Sequence, residues 1–183
     1  MKTELSGTTP LPMSVSSAYP LKAFLPHTPL FKHPLIQINR ENLMQSTQKT
    51  IEEIFDATLA FIGTNAEAWS DLLASDAIME SPYAAVGMPQ RLEGKPAVYN
   101  HVKEGMTQMS NLTFTNVRKY PTPDPNVMWA EYHGEAIVPA TGRRYQQDYL
   151  TRLEIRNGKI VNFGNYFNPH ATMYAFGMSD TPD

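Results

Sequence analysis

Beyond residue 46 the apolar side chains recur at intervals of three and four residues, which is the spacing of one face of a helix. The pattern predicts a first helix that begins at Ser46 and ends at Gly63. Asn65 is a suitable cap for a second, short helix through Trp69 and Leu73. The apolar positions of the first helix are Ile51, Ile54, Phe55, Leu59 and Ile62.

A third helix is predicted after a short strand near Ala77 to Met79 and a turn at Ser81-Pro82-Tyr83. It opens at Gly94-Lys95-Pro96, because proline is well tolerated in the first turn of a helix. One face of this helix carries Val98, His101, Val102 and Met106.

Four strands are predicted in the remainder of the chain. The first covers Leu112 to Tyr120, and a rigid proline-rich loop then leads to three strands within residues 126–138, 141–150 and 157–169. Helices ahead of a series of antiparallel strands predict an α+β domain in which a curved antiparallel or mixed sheet wraps around the helices.

Composition narrows the classes of function. The formal net charge is −3, with no Lys/Arg cluster, which argues against nucleic acid or a membrane surface as the main partner and favours small molecules or proteins. The absence of cysteine excludes disulfides, thiolate nucleophiles and cysteine-ligated zinc sites. No apolar run approaches the roughly 18 to 20 residues of a spanning helix, so cytoplasmic residence is the default expectation.

The chain divides into three parts. Residues 1–45 hold six of the fifteen prolines and are predicted to be an extended arm, residues 46–177 the folded domain and residues 178–183 a tail. The arm is either a solvated tail or, because it contains several large apolar side chains such as Phe24 and Phe31, a segment packed along its own domain or a partner subunit.

Three stretches carry a resemblance to a known family: LLASDAIMESPY, LEGKPAVYNHVKEGM and ATGRRYQQDYLTRLEIRNGKIVNFGNYFNP. Across about residues 47–177 the chain resembles the nuclear transport factor 2-like cone, in particular the SnoaL-like polyketide cyclases and the phenazine biosynthesis A/B proteins. The resemblance implies a cone-shaped sheet around a pocket with one open mouth, and a homodimer formed through the outer sheet face. This fold hosts isomerases, cyclases, epoxide hydrolases and non-catalytic binders, so the chemistry depends on the site.

Ketosteroid isomerase, a relative of this fold, provides a first test of the chemistry. Counting back from the turn at Gly158-Lys159-Ile160, its oxyanion-binding acid would fall at Leu150, its general base at Ser81 and its tyrosine near Ala57. None of these three side chains can perform those roles, so the steroid isomerase mechanism is not expected.

The same register predicts which side chains face the pocket. With Leu150 pointing inward, Asp148, Gln146 and Arg152 share its face, and Phe163, Asn165 and Phe167 are inward on the last strand together with Val161. On the strand predicted within residues 126–138, the inward residues are expected to be Trp129, Glu131, His133, Glu135 and Ile137. A one-residue bulge would instead turn Met128, Ala130, Tyr132 and Ala136 inward.

His101 and Asp148 are the predicted catalytic residues. In the phenazine A/B proteins a histidine lies at the spacing that His101 has from Gly94-Lys95. The resemblance also places Asn165 at a position where those proteins share a glutamate. Asp148 would act as a base or orient His101, unless Arg143, Arg144 or Arg152 neutralises it in a structural ion pair. His101 could equally be a core-edge histidine bonded to a backbone carbonyl.

The predicted substrate-binding residues are mainly aromatic: Tyr83, Tyr99, Trp129, Glu131, His133, Phe163, Asn165 and Phe167. No metal site is predicted, although His133 and Glu135 are same-face neighbours.

Two functions remain open. One is a cofactor-free isomerase, cyclase or dehydratase-like lyase that moves protons on a hydrophobic carbonyl or polycyclic compound of secondary metabolism or catabolism. The other is a non-catalytic ligand-binding or assembly subunit.

Overall fold

The structure is a computed structural model, and it describes residues 49 to 181. The predicted arm, residues 1–45, and the residue Ser46 lie outside the described residues. The elements in chain order are α1 (Ile51–Phe61), α2 (Ala66–Ser70), β1 (Leu73–Glu80), β2 (Arg91–Glu93), α3 (Lys95–Thr107), β3 (Ser110–Pro121), β4 (Val127–Val138), β5 (Arg143–Arg156), β6 (Lys159–Phe167) and α4 (Pro169–Ala175).

The strands form one six-stranded, curved and unclosed sheet in the order β2-β1-β6-β5-β4-β3. Strands β3 to β6 are antiparallel neighbours, as expected for consecutive strands with short connections, and β1 pairs with β6 in parallel. The predicted α+β class with a curved, mixed sheet is therefore confirmed.

Local sequence determines where the first helix begins and ends. Thr50 is the N-cap of α1: its hydroxyl accepts from the Glu53 amide at 3.2 Å, and the Glu53 carboxylate accepts from the Thr50 amide at 2.8 Å. This reciprocal cap places the helix start at Ile51, so the prediction of Ser46 is wrong. Gly63 has φ +92°, which a glycine adopts without strain, and it ends the helix as predicted.

Two elements were missed. β2 has only three residues, too few to show an alternating pattern, and it is held by its pairing with β1. α4 begins at Pro169, where Asn168 caps the helix, whereas the sequence was interpreted as ending its last strand there.

The core lies between α1, α2 and one face of the sheet. Trp69 packs edge-on against Phe163 with ring centroids 6.3 Å apart, and Phe55 does the same with Tyr132 at 5.7 Å. The helices therefore cover part of the concave face and leave the rest open toward α3.

Strand β4 shows which face is buried, because every second residue from Met128 to Val138 is buried. Buried Tyr132 and Ala130 pair with Tyr149 and Thr151 of β5, so these residues share the concave face. The predicted inward orientation of Trp129, Glu131, His133, Glu135 and Ile137 is wrong, and so is that of Gln146, Asp148, Leu150 and Arg152.

A bulge explains the error. Ile155 pairs with Ile160, but Glu154 pairs with Asn162, so Val161 is an extra residue in β6. Beyond the bulge, Thr151 rather than Leu150 pairs with Asn165. A count back from the turn that does not allow for this bulge therefore assigns every β5 side chain to the wrong face of the sheet.

The end of the described chain packs on the domain. Arg143 donates to the carbonyl oxygens of Tyr174 at 2.8 Å and Ser179 at 2.7 Å. Residues 178 to 181, predicted as part of a tail, are thus held against β5. Within residues 49 to 181, no helix has the length and apolarity needed to span a bilayer.

Candidate functional site

A cavity of about 460 Å³ lies against the concave face of the sheet. Its walls come from the strands, α3, α4 and the loop at residues 87–89. The volume falls within the roughly 300 to 1,000 Å³ typical of small-molecule sites. Apolar side chains make up most of the wall, among them Met79, Val102, Met106, Leu112, Phe163 and Phe167.

His101 borders this cavity from α3 and is half-buried. Burial lowers the pKa of its imidazole below the ordinary value, and the charge of Glu104 opposes the shift only in part. The ring is therefore neutral at pH 7, with one nitrogen able to accept a proton.

Tyr145 and Tyr149 reach the cavity from β5, where alternate residues share a face. Their hydroxyl groups are hydrogen-bonded to each other. Burial raises the pKa of both phenols, so both stay protonated at neutral pH. Two hydroxyls that share one hydrogen bond retain one O–H for a third group, which makes this pair a donor toward a ligand oxygen.

A second polar group connects three strands beside the tyrosine pair. The Tyr132 hydroxyl lies 2.9 Å from the Thr151 hydroxyl, which donates to Asn165 Oδ1 at 2.7 Å. The Tyr132 ring stacks on Tyr149 with centroids 4.9 Å apart. The sheet side of the cavity thus combines apolar surface with uncharged, hydrogen-bonding side chains.

Sequence comparison identifies the family of this domain. The profile of the SnoaL-like domain matches residues 51–163, which is more than half of the chain. The chain belongs to the SnoaL-like family. The predicted resemblance is therefore confirmed.

Other SnoaL-like and phenazine-related proteins are similar to this chain. The uncharacterized protein YesE of Bacillus subtilis is 34% identical over 137 residues, covering 75% of this chain and 93% of YesE. An uncharacterized PhzA/B-like protein of Pseudomonas aeruginosa is 31% identical over 113 residues, covering 62% of this chain and 79% of that protein. A crystal structure of a putative isomerase from B. subtilis superposes with a TM-score of 0.65 at 35% identity, covering 69% of this chain and 92% of that one.

Four of the predicted site residues lie on the cavity wall of this SnoaL-like domain: His101, Phe163, Asn165 and Phe167. Asp148 does not join them. Its side chain is 90% exposed on the outer face, where Oδ1 lies 2.7 Å from His133 Nδ1. The structure therefore does not bring Asp148 and His101 together. Asp148 instead pairs with a residue outside the cavity, as the structural ion-pair alternative expected, but its partner is His133 rather than an arginine.

The predicted polar binding residues form a surface network on that outer face. Arg118 lies 2.6 Å from Glu131, and Glu135 binds both Arg144 and His133, at 3.0 and 3.3 Å. The hydrogen bond to Asp148 raises the pKa of His133, with Glu135 contributing in the same direction and burial opposing them. Within residues 49 to 181, no group of three or more His, Asp or Glu side chains is arranged to hold a metal ion.

The remaining predicted aromatic residues lie away from the cavity. Trp129 and Tyr83 both pack against Tyr166 on the outer side, at centroid distances of 5.6 and 6.1 Å. Tyr99 donates to Glu67 at 2.8 Å and accepts from Lys103 at 2.9 Å on the exposed side of α3.

Sequence reasoning missed four polar residues at or beside the cavity wall, Tyr145, Tyr149, Thr151 and Thr172, and it turned Tyr132 inward only in the alternative with a bulge. A signal for most of them was present, because the odd-numbered residues of β5 from Tyr145 to Ile155 are less polar than the even-numbered ones between them. Thr172 lies on α4, which was not predicted.

Proposed function

We propose that this chain is an enzyme of the isomerase or cyclase type that moves a proton on a hydrophobic carbonyl compound bound in the cavity. The observation that carries the proposal is His101, a neutral imidazole on the wall of a largely apolar cavity that also contains protonated phenols. A base and an oxyanion donor facing one cavity are the two groups that enolisation requires.

In the proposed reaction, the unprotonated nitrogen of His101 takes a proton from the carbon next to the carbonyl. The electron pair of that C–H bond moves into an enolate, whose oxygen gains negative charge and accepts a hydrogen bond from the Tyr145–Tyr149 pair. Return of the proton at a different carbon gives isomerisation. Attack of the enolate carbon on a second carbonyl gives cyclisation, and the alkoxide formed takes the proton back from His101. Only side chains of this chain take part, so the proposal requires no cofactor.

The relatives support this class of reaction. The B. subtilis structure is described as a putative isomerase, and other similar proteins are named for phenazine biosynthesis, which agrees with a role in secondary metabolism or catabolism. Asp148 has no part in the proposal, because its carboxylate lies on the outer face.

The second candidate is a ligand-binding protein without catalysis. It is favoured by Asn165, whose amide cannot carry a proton, and by the lack of a buried carboxylate on the described part of the cavity wall, where the one acid, Glu104, is exposed. In that case the same cavity would hold its ligand without proton transfer.

Hydrogen–deuterium exchange of a ketone separates the two candidates. 2-Tetralone in buffered D2O, followed by proton NMR, loses its α-proton signal as exchange proceeds. The wild type is expected to accelerate this loss, and His101→Gln is expected to remove at least about 100-fold of the acceleration, the usual contribution of a positioned base. His170→Gln and Asp148→Asn are matched controls, since both side chains are exposed outside the cavity.

Two outcomes would reject the enzyme proposal. One is an exchange rate that the wild type does not change although 2-tetralone binds, which would favour the binding protein. The other is equal exchange by wild type and His101→Gln.

We also propose a homodimer that forms through the outer sheet face, in the cytoplasm. Leu150 is 38% exposed there beside Trp129 and Tyr166, so pairing of two such faces would bury apolar surface. Small-angle scattering of the full chain tests this: a monomer at micromolar concentration would contradict it.

A further inference from the structure

The sheet side of the cavity contains hydrogen-bond donors without an acceptor. Asn165 is 7% exposed, and its Oδ1 is occupied by Thr151, but its Nδ2 makes no hydrogen bond to any residue between 49 and 181. Because Asn165 lines the cavity, water can reach this amide group, and a ligand oxygen at this position would take the place of that water.

Thr172 is a second donor of this kind. It is 5% exposed, lines the cavity and makes no hydrogen bond of ordinary geometry within the described residues, although its hydroxyl lies beside the Tyr145 phenol. Threonine in a helix often bonds the carbonyl four residues before it; here the Asn168 carbonyl already accepts from Gln147 at 2.7 Å. The tyrosine pair adds one further O–H.

The charge of the wall restricts what these donors can bind. Across residues 49 to 181, neither lysine nor arginine lines the cavity, and Glu104 carries its one carboxylate. Burial of an ionised carboxylate requires a paired cation, whereas a neutral carbonyl oxygen requires only donors. The wall therefore suits an uncharged ligand and disfavours an anionic one.

We propose that Asn165, Thr172 and the Tyr145–Tyr149 pair form an oxygen-binding subsite for an uncharged keto or amide carbonyl, and that the cavity selects against carboxylate compounds. The proposal rests on the proposed function for the choice of cavity, but it requires no reaction. Within the proposed reaction, the carbonyl oxygen would be held by these donors and the neighbouring carbon presented to His101.

Three ligands of similar shape test the subsite by calorimetry with the full chain. 2-Acetylnaphthalene has a neutral acceptor oxygen, 2-naphthoate has a charged one, and 2-isopropenylnaphthalene has none. The ketone is expected to bind more tightly than the hydrocarbon by roughly 2- to 12-fold for each hydrogen bond formed. It should bind at least about 10-fold more tightly than the carboxylate at pH 7.5, because the anion lacks a partner cation.

Variants locate the effect. Asn165→Leu should weaken binding of the ketone by roughly 2- to 12-fold and leave binding of the hydrocarbon unchanged, which also shows that the cavity is intact. Tyr145→Phe/Tyr149→Phe is a second variant with the same expectation, and both phenols are replaced because either one alone would keep one O–H. Carboxylate binding as tight as ketone binding, equal loss of ketone and hydrocarbon affinity in both variants, or no binding of the three compounds by the wild type would each overturn the proposal. None of these outcomes depends on turnover, so failure here is distinguishable from failure of the proton-transfer proposal.

Discussion

The hydroxyl of Thr151 connects two buried polar groups, and its removal should destabilise the domain. Thr151 is 0% exposed and lies between the Tyr132 hydroxyl, 2.9 Å away, and Asn165 Oδ1, 2.7 Å away. Thr151→Val keeps the side-chain shape and the β-branched preference for a strand, so the change isolates the two hydrogen bonds.

The expected loss of unfolding free energy is about 2 to 4 kcal/mol. A buried polar group left without a partner costs about 1 to 3 kcal/mol, and Thr151→Val leaves two. Asn165 lines the cavity, where water can reach it, so its cost lies at the low end. Tyr132 is 5% exposed, so its hydroxyl bears most of the penalty.

Urea unfolding followed by circular dichroism measures the difference, and Thr58→Val is the matched control. Thr58 is also 0% exposed, but its hydroxyl bonds only the Ile54 carbonyl of its own helix, at 2.9 Å. That carbonyl keeps its backbone hydrogen bond, so the control should lose less than about 1 kcal/mol. Equal losses in the two variants would refute the reasoning. The double variant Tyr132→Phe/Thr151→Val should recover part of the loss, since it removes one stranded group.

Two further predictions concern stability. The pKa of His133 is raised by Asp148 and Glu135, so its charged form stabilises the fold below the unfolded pKa of about 6.5, and this contribution is lost as the pH rises through the higher folded value. The difference in unfolding free energy between wild type and His133→Gln should therefore shrink from pH 5.5 to 8.5. A difference that stays constant over this range would contradict the prediction. A Cβ added at Gly134 would lie 3.0 Å from Tyr149 and 3.2 Å from Phe114, so Gly134→Ala should lower the melting temperature at a cost of about 1 to 3 kcal/mol, whereas Gly105→Ala, with open space around it in α3, should not.

Much of the fold could be predicted from the sequence because its signals are local. The stripe from Ile51 to Ile62 predicted α1, Gly63 its end and Asn65 the next cap, and each depends only on neighbouring residues. The start of α1 was placed at Ser46 because Gln48 and Glu52 lie downstream of it, but only Thr50 has an acid, Glu53, three residues later at the spacing of a capping box.

The candidate site was predicted only in part, because it depends on register. His101 and Asn165 were singled out by the resemblance to the phenazine A/B proteins, which compares positions within one element at a time, and both lie on the cavity wall. The assignment of Asp148 required counting through a hairpin, and the bulge at Val161 reversed the face. The alternation of buried residues in β4 was visible in the sequence, but the presence of Glu131, His133 and Glu135 was taken to indicate a pocket rather than an outer face with paired charges.

The most direct test of the central claim is a crystal structure of the full chain soaked with 2-acetylnaphthalene. The account predicts the compound in the concave cavity, with its carbonyl oxygen within hydrogen-bond distance of Asn165 Nδ2 or the Tyr145–Tyr149 pair and its methyl carbon facing His101. Density for the compound on the outer face beside His133 and Asp148, or in the cavity with its oxygen turned away from all these donors, would contradict it.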